Sequence, residues 1–257
     1  MSMAFCWSGA SRRGVWALAL AALPLLLAAQ APPKTLTVSA AASLGDAMKA
    51  LRPAFEAQHP DVTLRWNFAA SGVLLQQIAQ GAPVDVFVSA DEDTMDRAAA
   101  QQLVDPGTRR VLATNTLVVV APAGMALAGL ADLGTAQRIA IGKAASVPAG
   151  RYAQQALEAQ GMWARLQPKL VPADHVRQVL DYVARAEVDA GFVYATDAAS
   201  AGAKVRVVGV LGGHAPIRYP VAVVKDSAQP EAARAFVQFL LSPAAQAVLR
   251  QHGFGAP

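Results

Sequence analysis

The sequence predicts an α/β protein of two βαβ lobes joined by two crossing strands, with a cleft between them. Three observations carry that prediction. Short apolar, β-branched runs alternate with segments of helical period, which is the βαβ signature. Two strand-to-helix turns carry a serine in like position, Ala40-Ala41-Ala42-Ser43-Leu44 and Phe68-Ala69-Ala70-Ser71-Gly72. No low-complexity linker and no repeat of roughly 20–50 residues interrupts the chain, so two lobes must be joined by strands.

The strand candidates, in chain order, are Leu36–Ser39, Val62–Asn67, Val84–Val88, Leu117–Ala121, Arg138–Ile141, Ala190–Tyr194, Val205–Val210 and Val221–Val224. Such runs, alternating with helices, predict parallel pairing. Helices are expected at Ser43–Ala57, Ser71–Gln80, Asp91–Gln101, Ala149–Gln160, Asp174–Ala186, Pro230–Leu241 and Pro243–His252. Val176, Val179, Leu180 and Val183 follow the i, i+3, i+4, i+7 spacing of one buried face, with Asp174 in the N-cap region. Pro53 inside the first helix is expected to bend or shorten it. The apolar runs Thr116–Pro122 and Tyr219–Val224 are the expected crossings. They divide the chain into one lobe of residues 34–115 plus 218–257 and another of residues 116–217.

The N-terminus reads as an export signal over residues 1–31. Arg12-Arg13 supply its charge, Val15 to Ala29 its apolar stretch, and Ala29-Gln30-Ala31 a small-x-small cleavage pattern. A retained anchor is the alternative. The only cysteine, Cys6, precedes the apolar stretch and leaves with it, so the mature chain holds no disulfide and no cysteine metal site. An exported, untethered protein of this kind is expected in a periplasm. The chain carries 22 Lys+Arg against 18 Asp+Glu; without Arg12 and Arg13 the balance is 20 against 18, or +2. That mild charge, with no basic cluster, excludes a nucleic-acid surface.

Catalytic patterns are largely missing. His59, His175, His214 and His252 do not pair at helical spacing, so a helix-borne metal site is unsupported. His175 reads as polar surface beside the cleft. Asp91, Glu92 and Asp93 read as acidic residues favouring a helix dipole, and Asp85 as a residue that orders nearby backbone. Hydrogen-bond donors are more prominent. The two serine turns each place a hydroxyl and a backbone N–H where a helix begins, and helix N-termini attract anions. Val147-Pro148-Ala149-Gly150 gives a third helix start, with Pro148 and Gly150 permitting a tight turn, and Asp174-His175-Val176 a fourth. Tyr194 sets a phenol at the C-terminal edge of a buried strand. Each has a plainer reading as a helix cap or core residue; their recurrence at corresponding turns points to a neutral, hydroxyl-lined anion site.

These residues resemble the periplasmic molybdate-binding proteins of ABC transporters, within the type II periplasmic substrate-binding proteins. The resemblance runs from about Leu36 to Phe254. It rests on the Ser43 turn, Gly81-Ala82-Pro83-Val84-Asp85-Val86-Phe87-Val88-Ser89-Ala90-Asp91, Asn115-Thr116-Leu117-Val118-Val119-Val120-Ala121-Pro122, Val147 to Ala153, Val176-Arg177, Val193-Tyr194 with Asp197, and Tyr219 to Val224. It implies that Ser43, Ser71, Ala149, Val176 and Tyr194 line an oxyanion site. The serines would give hydroxyls and amides, Ala149 and Val176 amides, and Tyr194 its phenol. Molybdenum would enter only as the bound oxyanion. The Ala70-Ser71-Gly72 turn departs from the serine-richer version of some members. The resemblance also implies docking on an ABC transporter permease, with no cofactor and no enzymatic activity. A monomer is expected.

Molybdate and tungstate are proton-free dianions that only accept hydrogen bonds, which suits a site made of donors. Arg151 and Arg177 sit near the turns and are expected to act at longer range. The alternatives are a binder of another oxyanion such as sulfate or thiosulfate, and a secreted enzyme using Ser43 or Ser71 as nucleophile. An iron binder is disfavoured because Tyr152, Tyr182, Tyr194 and Tyr219 are isolated, and a sensory module because no signalling domain is attached.

Overall fold

The computed structural model describes residues 1–6 and 34–257. The export segment expected at residues 1–31 falls largely outside them. Contacts divide the chain into Met1–Ala31 and Pro32–Pro257, and all the elements below belong to the second unit.

The first sheet begins with β1 (Lys34–Ala41), followed by a 3-10 turn Ala42–Leu44 and α1 (Gly45–Gln58). β2 (Val62–Ala69), α2 (Ser71–Ala79), β3 (Val86–Val88), α3 (Glu92–Ala100) and β4 (Arg110–Thr114) follow. The chain then enters a second sheet through β5 (Leu117–Pro122), β6 (Ile139–Gly142), α4 (Pro148–Ala159), α5 (Trp163–Leu166), β7 (Leu170–Ala173), α6 (Val176–Ala184), β8 (Ala190–Tyr194), α7 (Ala195–Ala201) and β9 (Val205–Val210). It returns with β10 (Arg218–Val223), α8 (Pro230–Leu240) and α9 (Pro243–Gln251).

The two sheets have five strands each, ordered β2-β1-β3-β10-β4 and β7-β6-β8-β5-β9. In both, the first three strands are parallel, as the alternation with helices predicts. The fourth strand runs antiparallel to both its neighbours: β10 in the first sheet, β5 in the second. Each is the strand entered from the other sheet, so no crossover helix sets its direction. The sheets are therefore mixed rather than purely parallel. The runs expected to cross lie as strands just beyond two short connections. Asn115-Thr116 leads out and residues 211–217 lead back, and the Asn115 N–H donates to the Ile217 carbonyl where they touch, at 3.3 Å.

Two strands escaped the sequence pattern. β4 and β7 are both edge strands. β7 is short and carries Pro172, which an edge tolerates because one side makes no ladder bonds. Pro53 does not shorten α1, which continues to Gln58. The apolar face of α6 is buried at Val176, Val179, Leu180 and Val183 as the spacing predicts. Its N-cap is His175 rather than Asp174: the imidazole Nδ1 accepts the Gln178 N–H at 3.1 Å. In the core the Phe55 ring on α1 meets Phe236 on α8 edge-on at 4.9 Å, and such a buried ring contributes roughly 1.5–3 kcal/mol.

Candidate functional site

Ser43, Ser71, Ala149, Val176 and Tyr194 all line one cavity between the two sheets, at the C-terminal ends of strands. The cavity is small, about 10 Å³. His175 also lines it. Among the described residues, no lysine, arginine, aspartate or glutamate does.

Neither serine is a helix cap. The capping positions are Ala41 and Ala70; Ser43 lies inside the 3-10 turn, and Ser71 is the first residue of α2. Those two starts, and the start of α4 after Val147, have no side-chain cap. Their first-turn amides therefore lack the side-chain acceptor that Asp91 gives α3. Both serines are buried, with Ser71 fully so. The Ser71 oxygen accepts the Ala90 N–H at 2.9 Å. The Ser43 oxygen lies 3.0 Å from the Tyr219 hydroxyl.

Tyr194 ends β8 and enters α7, with its N–H donated to the Asp197 carboxylate at 3.2 Å. Its hydroxyl is buried and has no hydrogen-bond partner. Burial holds the phenol well above its ordinary pKa, helped by Tyr219 and Tyr152, so it stays a neutral donor. An unpaired buried hydroxyl costs about 1–3 kcal/mol, which a ligand oxygen in the cavity would offset.

The charged groups near the site are paired around it. Arg151 on α4 lies 3.3 Å from Asp91, which caps α3 through its other oxygen. Arg177 on α6 reaches Asp197 at 2.7 Å and Asp46 on α1 at 2.8 Å. The contact with Asp197 is at ion-pair distance without hydrogen-bond alignment. Asp197 is fully buried, and burial raises its pKa to about 6 although Arg177 and the Tyr194 N–H oppose the rise. Asp85 holds backbone as expected, accepting the Thr37 N–H at 2.7 Å and the Ser227 hydroxyl at 2.7 Å.

Two glycines explain how closely the elements meet. A side chain at Gly150 would put its Cβ 1.9 Å from the Gly142 carbonyl oxygen, so the residue permits close packing of α4 on β6 rather than the tight turn expected of it. At Gly72 a Cβ would sit 2.8 Å from Ser146 of the opposite lobe, whose carbonyl accepts the Gly72 N–H at 3.0 Å. The contributions of His175, Asn115 and Tyr219 were not legible locally: Ser43 and Tyr219 are 176 residues apart.

Two mixed sheets flanking a donor-lined cavity, with the chain passing twice between them, define a periplasmic-type solute-binding protein. The family model described as "Bacterial extracellular solute-binding protein" matches residues 36–255, and the chain belongs to that family, which comprises solute binders rather than enzymes. The molybdate-binding protein ModA of Escherichia coli (strain K12) is 39% identical over 228 residues, covering 85% of this chain and 88% of that protein. ModA of Haemophilus influenzae is 36% identical, covering 93% of this chain and 96% of that protein. Among solved structures, the periplasmic molybdate-binding protein of Azotobacter vinelandii superposes with a TM-score of 0.74 at 26% identity, over 86% of this chain and 99% of that chain. The sulfate-binding protein SubI of Mycobacterium tuberculosis has a TM-score of 0.76 at 21% identity, covering 86% of each chain, and shares the fold.

Proposed function

We propose that this chain binds molybdate, and tungstate with it, through Ser43, Ser71, Ala149, Val176 and Tyr194, and delivers the anion to an ABC transporter permease. The observation that carries the reading is the buried, unpartnered Tyr194 hydroxyl in a cavity with serine hydroxyls and uncapped helix starts. A tetrahedral dianion would accept from all of them. Each charge-assisted bond is worth roughly 1.5–3 kcal/mol net. The likeness to ModA proteins over most of the chain supports the same ligand. Residues 34–115 with 218–257, and 116–217, are the two lobes that close on it by differential affinity for the closed state. Residues 1–31 direct export to the periplasm, and the mature protein acts as a monomer.

Calorimetric titration of the mature protein with molybdate, tungstate, sulfate and phosphate tests the reading. Tight binding of the first two, with sulfate and phosphate silent, is expected. At a thousandfold excess over Kd the ligand should add about 4 kcal/mol of stability. Equal binding of sulfate would reduce the site to a general oxyanion binder; silence with all four would overturn the ligand assignment.

A further inference from the structure

We infer that Asn115 and Tyr219, one beside each chain crossing, fix the polarity of the Ser43 hydroxyl and so make the cavity select fully deprotonated oxyanions over protonated ones. The inference rests on the oxyanion reading of the cavity.

The direction of the relay follows from the bonding capacity of each atom. The Asn115 Oδ1 accepts the Thr116 N–H at 2.8 Å, which orients the amide. Its Nδ2 therefore faces the Thr196 Oγ1 at 2.9 Å and the Tyr219 hydroxyl at 3.2 Å. An amide nitrogen can only donate, so the Tyr219 oxygen accepts there. The single phenol proton is then left for the Ser43 Oγ at 3.0 Å. Burial keeps the Tyr219 phenol neutral and able to donate. With its oxygen receiving that bond, Ser43 has one proton of its own, and the cavity is where it can be spent.

Ser71 reaches the same polarity by another route, because its oxygen receives the Ala90 N–H. Both hydroxyls thus present protons to the cavity. A ligand that still carries a proton finds each serine oxygen already receiving a bond and no carboxylate in the lining. Its proton can be received only on a second lone pair of a serine or by the Tyr194 hydroxyl turned from donor to acceptor, which costs the site a donor bond, and that penalty is the basis of rejection. The relay also starts at the contact between the two crossings, through the Asn115 N–H and Ile217 carbonyl. It connects Ser43 of the first lobe with Thr196 on α7 of the second.

The test uses Tyr219→Phe and Asn115→Asp in the mature protein, titrated with molybdate directly and with phosphate by competition, near neutral pH. Tyr219→Phe keeps the ring that packs on Tyr194 at 5.8 Å and Phe254 at 5.4 Å. It frees an acceptor on Ser43. The expected result is a molybdate affinity about tenfold weaker, the worth of one net hydrogen bond, with the gap between molybdate and phosphate narrowed by more than that. Asn115→Asp offers only acceptors, so the phenol proton turns away from Ser43 and the relay reverses. Molybdate is then expected to lose about a hundredfold, on the scale of a charged-group bond, and phosphate much less.

Thermal unfolding of each unliganded variant confirms that it is folded; if Asn115→Asp does not fold, Tyr219→Phe decides alone. A folded Tyr219→Phe variant with an unchanged molybdate-to-phosphate ratio would overturn the relay while leaving the ligand assignment standing. Failure of the unmutated protein to bind molybdate would instead remove the reading on which the relay rests.

Discussion

The two serine turns look alike in sequence and are built differently. Each follows a strand, each carries alanines ahead of its serine, and each buries that serine. Ser71 is oriented by a backbone N–H from Ala90, two residues beyond β3. Ser43 is oriented by a phenol and an amide side chain supplied from the chain crossings. Their reach to the other lobe differs too. The Ser71 turn meets Ser146 backbone to backbone, with no room for a Cβ at Gly72. The Ser43 turn is touched by a long side chain, as Arg177 donates to the Ser43 carbonyl at 3.3 Å. One turn meets the other lobe as a backbone-to-backbone stop. The other is held by side chains and can be tuned by substitution.

The largest expected effect comes from breaking the rigid side. Gly72→Val places a branched side chain against the Ser146 backbone, which cannot give way as a flexible side chain would. The lobes should be held apart. Molybdate affinity is expected to fall by at least about a hundredfold, or ~2.7 kcal/mol, while the unliganded protein keeps its thermal midpoint by relaxing open. Calorimetry reads the affinity, thermal unfolding the midpoint and small-angle scattering the opening. Unchanged affinity would mean that the Gly72–Ser146 contact does not limit closure.

Next come the serines themselves. Ser43→Ala and Ser71→Ala each remove one charge-assisted donor, about 1.5–3 kcal/mol of binding and so roughly ten- to a hundredfold in Kd. They should part in stability. Ser71→Ala also strips the buried Ala90 N–H of its acceptor, and an unsatisfied buried donor costs about 1–3 kcal/mol. Ser43→Ala takes the acceptor from the Tyr219 hydroxyl, but that O–H can rotate, as a backbone N–H cannot, while its oxygen keeps the Asn115 bond. Chemical denaturation of the unliganded variants should therefore show a clear loss for Ser71→Ala and a smaller one for Ser43→Ala. Equal losses would show that the two turns are supported alike.

How much of this was readable beforehand follows from which contacts are local. The alternation of apolar runs with helical periods located most strands and all the long helices. The turns that hold Ser43, Ser71, Ala149, Val176 and Tyr194 share one cavity because each follows or ends a strand at its C-terminal end, and all of those strands but β7 were legible. The edge strands β4 and β7 were missed because β7 is short and broken by Pro172, and β4 begins at Arg110. The antiparallel direction of β5 and β10 was not legible, since it comes from lobe exchange rather than from any local pattern. The relay behind Ser43 was also hidden, because no period or motif joins Ser43, Asn115 and Tyr219. His175 was read as surface because its capping role depends on Nδ1 facing the Gln178 N–H.

The smallest effect on affinity is expected on the adjustable side, at Arg177. Its partner Asp46 is 45% exposed, and exposed ion pairs contribute about 0.2–1 kcal/mol. Arg177→Gln should therefore weaken binding only about two- to fivefold. Its larger signature is in pH. Burial lifts the Asp197 pKa from 3.8 to about 6 in the folded protein, with Arg177 holding it down. A carboxyl raised on folding binds its proton more tightly in the native state than in the unfolded one. Its contribution to stability is therefore complete below the unfolded pKa and is lost as pH rises through the folded one. Between pH 3.8 and about 6 the unliganded protein should lose stability from this group. Removing the guanidinium leaves burial unopposed by its nearest cation, so the upper end of that window moves to higher pH in Arg177→Gln. Thermal midpoints collected across pH for both proteins read the shift. A profile that does not move would mean that Arg177 spends its charge on Asp46 rather than on Asp197.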